Sequence, residues 1–170
     1  MSNVFDVPSA WKGLEDRYRA YLLGVRPIRT IVEVGVDYGF SFFHFALHHP
    51  RAFVIGVDSY TQAGGEGGEA CAWVRSRLPQ FPNASLMVEE SRVAASKLNM
   101  AIDVLHIDAL HEYENVKEDF DLWSPKVRAG GCVMFHDTES FLGVNRFFGE
   151  LPGRKMRILE NHGLGFWFKG

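Results

Sequence analysis

Carboxylates and histidines recur at the ends of this chain's apolar runs, and their spacing suggests what they could do. The positions are Glu33-x-Gly35, Asp58, Glu90-Ser91, Asp108 and His136-Asp137. The first belongs to the stretch Glu33-Val34-Gly35-Val36-Asp37-Tyr38-Gly39-Phe40-Ser41. Its two glycines, four apart, permit a tight turn and close approach of backbone to a ligand. A dinucleotide fingerprint would need glycine where Asp37 stands, and a carboxylate there would repel a pyrophosphate. No Gly-Lys-Ser/Thr follows, so a P-loop is excluded as well. The turn suits a ligand without phosphate, such as a nucleoside carrying an amino-acid tail. Asp58 falls 23 residues after Gly35, about where nucleoside-binding βαβ units place the acid that reads the ribose. A carboxylate can accept both ribose hydroxyls; a helix-capping or turn aspartate is the alternative at this position.

Such residues need a scaffold, and the apolar pattern describes one. Strand-like runs are Ile31–Val36, Phe53–Val57, Ser85–Val88, Ile102–Ile107 and Cys132–Phe135, then Met156–Leu159 and Gly165–Phe168. The last two are separated by Glu160-Asn161-His162-Gly163, a plausible hairpin connection. Helical spacing lies between the others: Phe40, Phe43 and Leu47, closed by Pro50, and Val116, Phe120, Trp123 and Val127. Glu112 and Glu114 at the start of the second helix, with Lys126 and Arg128 near its end, suit the helix dipole. Strands alternating with helices predict an α/β, Rossmann-like fold. Its mostly parallel seven-stranded sheet is covered on both faces and ends in an antiparallel C-terminal hairpin. Ligands of such sheets bind beyond the carboxyl ends of the strands, where the carboxylates stand.

Composition bounds the function. The chain of 170 residues is 46% apolar and 23% charged, enough for a single domain over residues 1–170 with a real core. A net charge of -3 without a basic run argues against nucleic acid or an anionic membrane as partner. The opening segment does not read as a secretion signal, and no stretch approaches the roughly 20 apolar residues of a membrane span. A cytoplasmic location is expected, with Cys71 and Cys132 as buried thiols. Asn83-Ala84-Ser85 fits a glycosylation acceptor by chance.

With these residues in view, a resemblance becomes specific. Glu33-x-Gly35-x-x-x-Gly39 followed by Asp58 resembles motif I and the next acidic position of class I S-adenosylmethionine (SAM)-dependent methyltransferases. The stretch Ile107-Asp108-Ala109-Leu110-His111-Glu112-Tyr113-Glu114-Asn115-Val116-Lys117-Glu118-Asp119 looks like the Asp-Gly-x-His-x-Tyr-x-x-Val-x-x-Asp block of one branch. That branch contains the macrocin O-methyltransferase-like and cephalosporin-hydroxylase-like proteins, and the similarity continues through Trp123 and Gly130-Gly131 into His136-Asp137.

The resemblance implies a SAM-dependent O-methyltransferase acting on a hydroxyl of a small molecule: a sugar, a phenol or a natural product. Glu33, Gly35 and Gly39 would hold the methionine end of SAM and Asp58 its ribose. Glu90 and Ser91 would lie beside the adenine. Asp108, with the pair His136-Asp137, would take a divalent cation, and His111 would be the general base beside Asp108. Departures are informative. Ala109 replaces the usual glycine, and His136 replaces a carboxylate or amide. An imidazole ligand favours manganese, iron or zinc over magnesium, or no metal at all. Little chain precedes the first strand to cap an acceptor, so the site is open, is completed by a second subunit, or has lost catalysis. Two alternatives follow: a non-catalytic or partner-dependent SAM-binding module, and a metal hydrolase built on Asp108, His111, His136 and Asp137.

Bland expectations accompany these. His106 is read as a satisfied buried histidine, and His44, His48 and His49 as surface or helix-end residues. Glu112, Glu114, Glu118, Asp119 and Asp121 read as a solvated helix face. The glycine stretch 64–68 is a lid or a surface loop.

Overall fold

Strand Ile102–Ile107 (β4) is buried at all six positions, as a central strand covered on both faces must be. In the computed structural model, which describes residues 3–61, 64–65 and 68–170, it lies in the middle of a seven-stranded sheet. Its partners are Thr30–Val34 (β1), Phe53–Val57 (β2), Ala84–Met87 (β3), Val127–His136 (β5), Arg154–Ile158 (β6) and Leu164–Phe168 (β7). The order is β3-β2-β1-β4-β5-β7-β6; all neighbouring pairs from β3 to β5 are parallel, and β7 runs antiparallel between β5 and β6. The alternating pattern and the terminal hairpin therefore produce the expected Rossmann-like architecture. The order in which strands are added along the chain reverses between β1 and β4, which opens a crevice at their carboxyl ends.

Alternation along the strands sends neighbouring residues to opposite layers. Ile31 and Val104 join Trp11, Leu14, Tyr18 and Phe45 on one face. Val32 and Leu105 join Trp123, Phe135 and Phe147 on the other. The residues before β1 are thus part of the core: Trp11, Leu14 and Tyr18 are almost wholly buried, and a short helix, Tyr18–Tyr21 (α1), sits among them.

The helices differ from their sequence readings in instructive ways. Helix α2 (Phe40–His48) is buried from Phe40 through Ala46, while Leu47 is 51% exposed. His44 belongs to the buried side, its ring stacked on Phe5 at 3.9 Å, where a surface residue was expected. The remaining helices are Glu69–Arg77 (α3), Ser91–Lys97 (α4), Tyr113–Trp123 (α5) and Leu142–Glu150 (α6). Helix α5 stops at Trp123, short of Val127: Pro125 has no N–H to continue the ladder, and the chain leaves through a single 3-10 turn, Ser124–Lys126. Val127 instead opens β5, which is longer than the expected Cys132–Phe135. Cys71 and Cys132 are buried thiols, and the Asn83 side-chain amide donates to the carbonyls of Ala46, His49 and Ala52. Glu66 and Gly67 of the glycine stretch lie outside the described residues. Among those described, no helix is long and apolar enough to cross a membrane.

Candidate active site

A cleft of about 900 Å³ opens at the carboxyl ends of β1, β2, β4 and β5. Its walls come from residues 34–41, 57–61, 89–92 and 108–111, the inner side of α5, His136 and Asp137, and residues 8–11. The last of these is a finding that the sequence reading missed. The segment before β1 closes one wall of the cleft, anchored by Trp11 against Phe45 and His106.

The turn after β1 is built around Gly35. Its φ of +89° is left-handed, and a Cβ there would meet the Asp108 carbonyl oxygen at 2.0 Å, so no other residue fits. This contact locks the β1 turn to the end of β4. Gly39, at φ +79°, begins α2. Asp58 braces the turn from the side. One oxygen accepts the N–H groups of Val36 (2.8 Å) and Asp37 (3.0 Å), and the other accepts that of Tyr60 (2.7 Å). Asp37 itself sits at φ +48° and is exposed on the cleft wall. Burial, and then the nearby Asp58 and Asp108 charges, raise its pKa.

Glu33 takes a different position from the one expected for a ligand of the methionine end. It is fully buried and does not line the cleft. In register it stands beside His106 on β4, so both side chains face the same layer. Its Oε1 lies 2.9 Å from His106 Nδ1 and also accepts from Ser41 Oγ, while Oε2 has no partner. Burial raises the Glu33 pKa, and the His106 contact opposes that rise. His106 is thus a buried, partnered residue beneath the site floor.

At the ends of β4 and β5 the acid–base groups converge. Ligand atoms of Asp108, His111 and Asp137 all lie within 4.8 Å of one another, an arrangement able to hold a cation. His111 Nε2 is 2.8 Å from Asp137 Oδ2 but is not aligned for a hydrogen bond, and its ring stacks on Phe141 at 3.9 Å. His136 is not in the converging set. It lies behind it, buried, with Nδ1 3.3 Å from both Asp108 and Asp137. Although burial opposes it, the two carboxylates push the His136 pKa up to about 10. The same pairing holds Asp108 and Asp137 below the usual aspartate range against their burial. The contact with Asp137 raises the pKa of His111, and burial opposes it. Asp137 has φ +62°, a conformation rare outside glycine that is held by the packing around it.

At the other end of the cleft, Glu90 lines the wall beside Glu89, whose Oε2 is buried and unpartnered. The Ser91 hydroxyl is already committed. It accepts from Trp123 Nε1 at 2.9 Å and donates to Asp119. Asp119 is only 7% exposed and lines the cleft, so it departs from the solvated helix face expected of it; burial raises its pKa to about 6. Glu89, Asp37 and Asp119 are residues that spacing alone did not single out. Among the described residues, eight carboxylates line the cleft (Asp37, Asp58, Glu89, Glu90, Asp108, Glu118, Asp119 and Asp137), against one arginine, Arg92, which pairs with Glu118.

Comparison with known proteins agrees with this architecture. Residues 32–138 match the family described as a methyltransferase domain. The chain is 32% identical over 182 residues to the uncharacterized protein y4gI of Sinorhizobium fredii, covering 99% of this chain but only 20% of that protein. The chain thus spans about a fifth of the length of that curated relative. Among solved structures it resembles a Staphylococcus aureus protein assigned as a caffeoyl-CoA O-methyltransferase (TM-score 0.79, 16% identity, 98% and 88% of the two chains). It also resembles the O-methyltransferase TomG of Streptomyces achromogenes, involved in tomaymycin synthesis and solved with SAM (TM-score 0.70, 18% identity, 98% and 85%). A third is the Bacillus cereus O-methyltransferase solved with S-adenosylhomocysteine (TM-score 0.68, 13% identity, 96% and 82%). At these identities the solved structures speak to the fold, whereas the match over residues 32–138 covers most of the chain. The chain belongs to the methyltransferase domain family.

Proposed function

We propose that this domain transfers a methyl group from SAM to a hydroxyl of a small molecule that is neutral or cationic. The observation that carries the reading is the meeting, in one cleft, of the Gly35 turn, Asp58 and the Asp108–His111–Asp137 cluster.

The residues fit SAM. Gly35 lets the backbone approach the amino-acid end, and Asp58, with three N–H groups of the turn on its carboxylate, keeps an acceptor position for a ribose hydroxyl. Glu89 and Glu90 flank the adenine end, Glu89 with a buried oxygen lacking a partner. SAM supplies an electrophilic methyl on a positively charged sulfur, which a cleft lined by carboxylates favours. The same charge disfavours anionic acceptors, because like charges in a desolvated cleft repel.

His111 is the proton acceptor for the substrate hydroxyl. An imidazole ordinarily titrates near neutrality, and Asp137 at 2.8 Å stabilises the imidazolium that forms. Asp108 and Asp137 are in turn held by His136 from behind, so their oxygens stay fixed. Asp108 and Asp137 would hold a divalent cation, which would supply Lewis-acid charge that makes a hydroxyl more acidic and leaves His111 to take the proton. Positioning of the two reactants supplies much of the remaining acceleration. The partner is a small-molecule acceptor, with neither nucleic acid nor membrane, in the cytoplasm.

Isothermal titration of S-adenosylhomocysteine tests the cofactor, with and without manganese. Binding is expected, and Asp58→Ala should weaken it at least ten-fold, about 1.4 kcal/mol. Unchanged affinity in that variant would remove the ribose assignment. Methyl transfer from SAM to neutral, cationic and anionic phenols then tests the acceptor; a preference for the anionic ones would refute the charge argument.

A second reading is favoured by the length of the Sinorhizobium relative: the domain works as a module completed by other segments or by a second copy. Light scattering with an activity assay separates the two, since a monomer active alone excludes it.

A further inference from the structure

The far end of α2 borders a second concavity, unrelated to the active-site cleft. Helix α2 begins at Phe40 on the active-site wall and ends at His48, about 13 Å away at 1.5 Å per residue. There, at the amino ends of β1 and β2, lies a cleft of about 890 Å³. Three arginines and two histidines line it: Arg19, Arg26, Arg51, His48 and His49. Among the described residues no acidic one does. The cleft also has an apolar side, formed by buried Leu22 and Ala52 and half-buried Ile28.

A run of cations around an apolar hollow is electrostatically costly unless something anionic answers it. Arg19 reaches Asp16 at 3.4 Å on an exposed outer edge. Neither Arg26 nor Arg51 has an ion-pair partner among the described residues. His48 Nδ1 is buried without a hydrogen-bond partner, while His49 Nε2 is 3.0 Å from the Tyr18 hydroxyl. Burial, and then the positive charges of His48, Arg19 and Arg26, push the His49 pKa down to about 4. Burial and Arg19 likewise lower that of His48, with Asp16 and Glu15 opposing. Two carbonyls at this helix end, those of Ala46 and His49, accept from the Asn83 side chain.

We propose that this cleft binds a small organic phosphate, with the phosphate held by Arg26, Arg51 and Arg19 and the organic body resting on the apolar side. Guanidinium groups match phosphate oxygens in a planar, two-pronged geometry and also stack on planar rings. The contrast with the active-site cleft is complete in charge: one end of α2 faces carboxylates, the other guanidiniums.

Phenyl phosphate is the probe, compared with inorganic phosphate and with phenol. NMR of the histidine rings locates the site, and titration calorimetry measures affinity. Phenyl phosphate should bind about ten-fold tighter than either fragment, or better, and should shift the His48 and His49 ring signals. Arg26→Gln with Arg51→Gln should weaken it at least ten-fold while S-adenosylhomocysteine binding and thermal melting stay as in the parent. Should the double variant fail to fold, Arg51→Gln alone serves, because this side chain is exposed. Equal affinity in the folded variant would overturn the proposal, as would ring shifts at His111 and His136 without any at His48 and His49.

Discussion

Asp119 offers the sharpest test of how the site is built. Its carboxyl sits 7% exposed on α5, accepting from Ser91, which is itself held by Trp123. Burial raises its pKa from 3.8 to about 6. An acid whose pKa is higher folded than unfolded keeps its proton longer in the folded state. Between pH 3.8 and about 6 the folded protein therefore binds more protons than the unfolded chain, and stability falls as pH rises through that window. The displacement corresponds to about 3 kcal/mol, fully felt once the pH exceeds 6. Asp119→Asn removes the charge but keeps an oxygen to accept from Ser91. The variant should match the parent near pH 4 and exceed it by up to about 3 kcal/mol at pH 7.5. Urea unfolding followed by tryptophan fluorescence, at pH steps from 4 to 7.5, gives the difference directly. Other titrating groups cancel in the comparison. A difference that stays flat with pH would refute the reasoning, because Asp119 would then titrate alike in both states.

Other expectations follow from the same geometry. Trp11→Ala should cost about 3–5 kcal/mol in urea unfolding and open the cleft wall, since the ring is buried against Phe45 and His106. Gly35→Ala should lower thermal stability and abolish S-adenosylhomocysteine binding, because the added carbon would lie 2.0 Å from the Asp108 carbonyl. A variant that bound normally would show that the turn can move. Asp137→Asn should lower the His111 pKa, read from its ring proton by NMR in chelator-treated protein, as burial then acts without the carboxylate that raises it. An unchanged value would mean that Asp137 does not act on His111.

Much of this was legible in the residues. Phe53–Val57 and Ile102–Ile107 coincide with β2 and β4: both are rich in apolar and β-branched residues and stop at an aspartate, although Asp103 and His106 interrupt the second. The carboxylates after β1, β2, β4 and β5 come together because parallel strands end on one side. Less visible was direction within an element. Glu33 and Gly35 lie two apart, yet the Glu33 side chain is drawn under the floor by its register with His106. His136 and Asp137 are adjacent, yet the chain turns at Asp137 and only its carboxylate joins the cluster. The role of residues 8–11 went unread although Val7, Trp11, Leu14, Tyr18 and Leu22 recur at spacing three and four and are all buried; the partners of Trp11, on α2 and β4, are distant in sequence. Asp119 was read as solvated because Ser91, which holds it, is 28 residues away.

The order of the last two strands bears on how the domain is made. Because β7 lies between β5 and β6, the Arg154–Ile158 segment has no place in the sheet until Leu164–Phe168 has been synthesised. Until then the outer edge of β5 presents unpaired backbone groups to any neighbouring chain. Emergence of the last strand from the ribosome is therefore the event that closes the sheet, and nascent chains stalled before it are the ones that would need a chaperone.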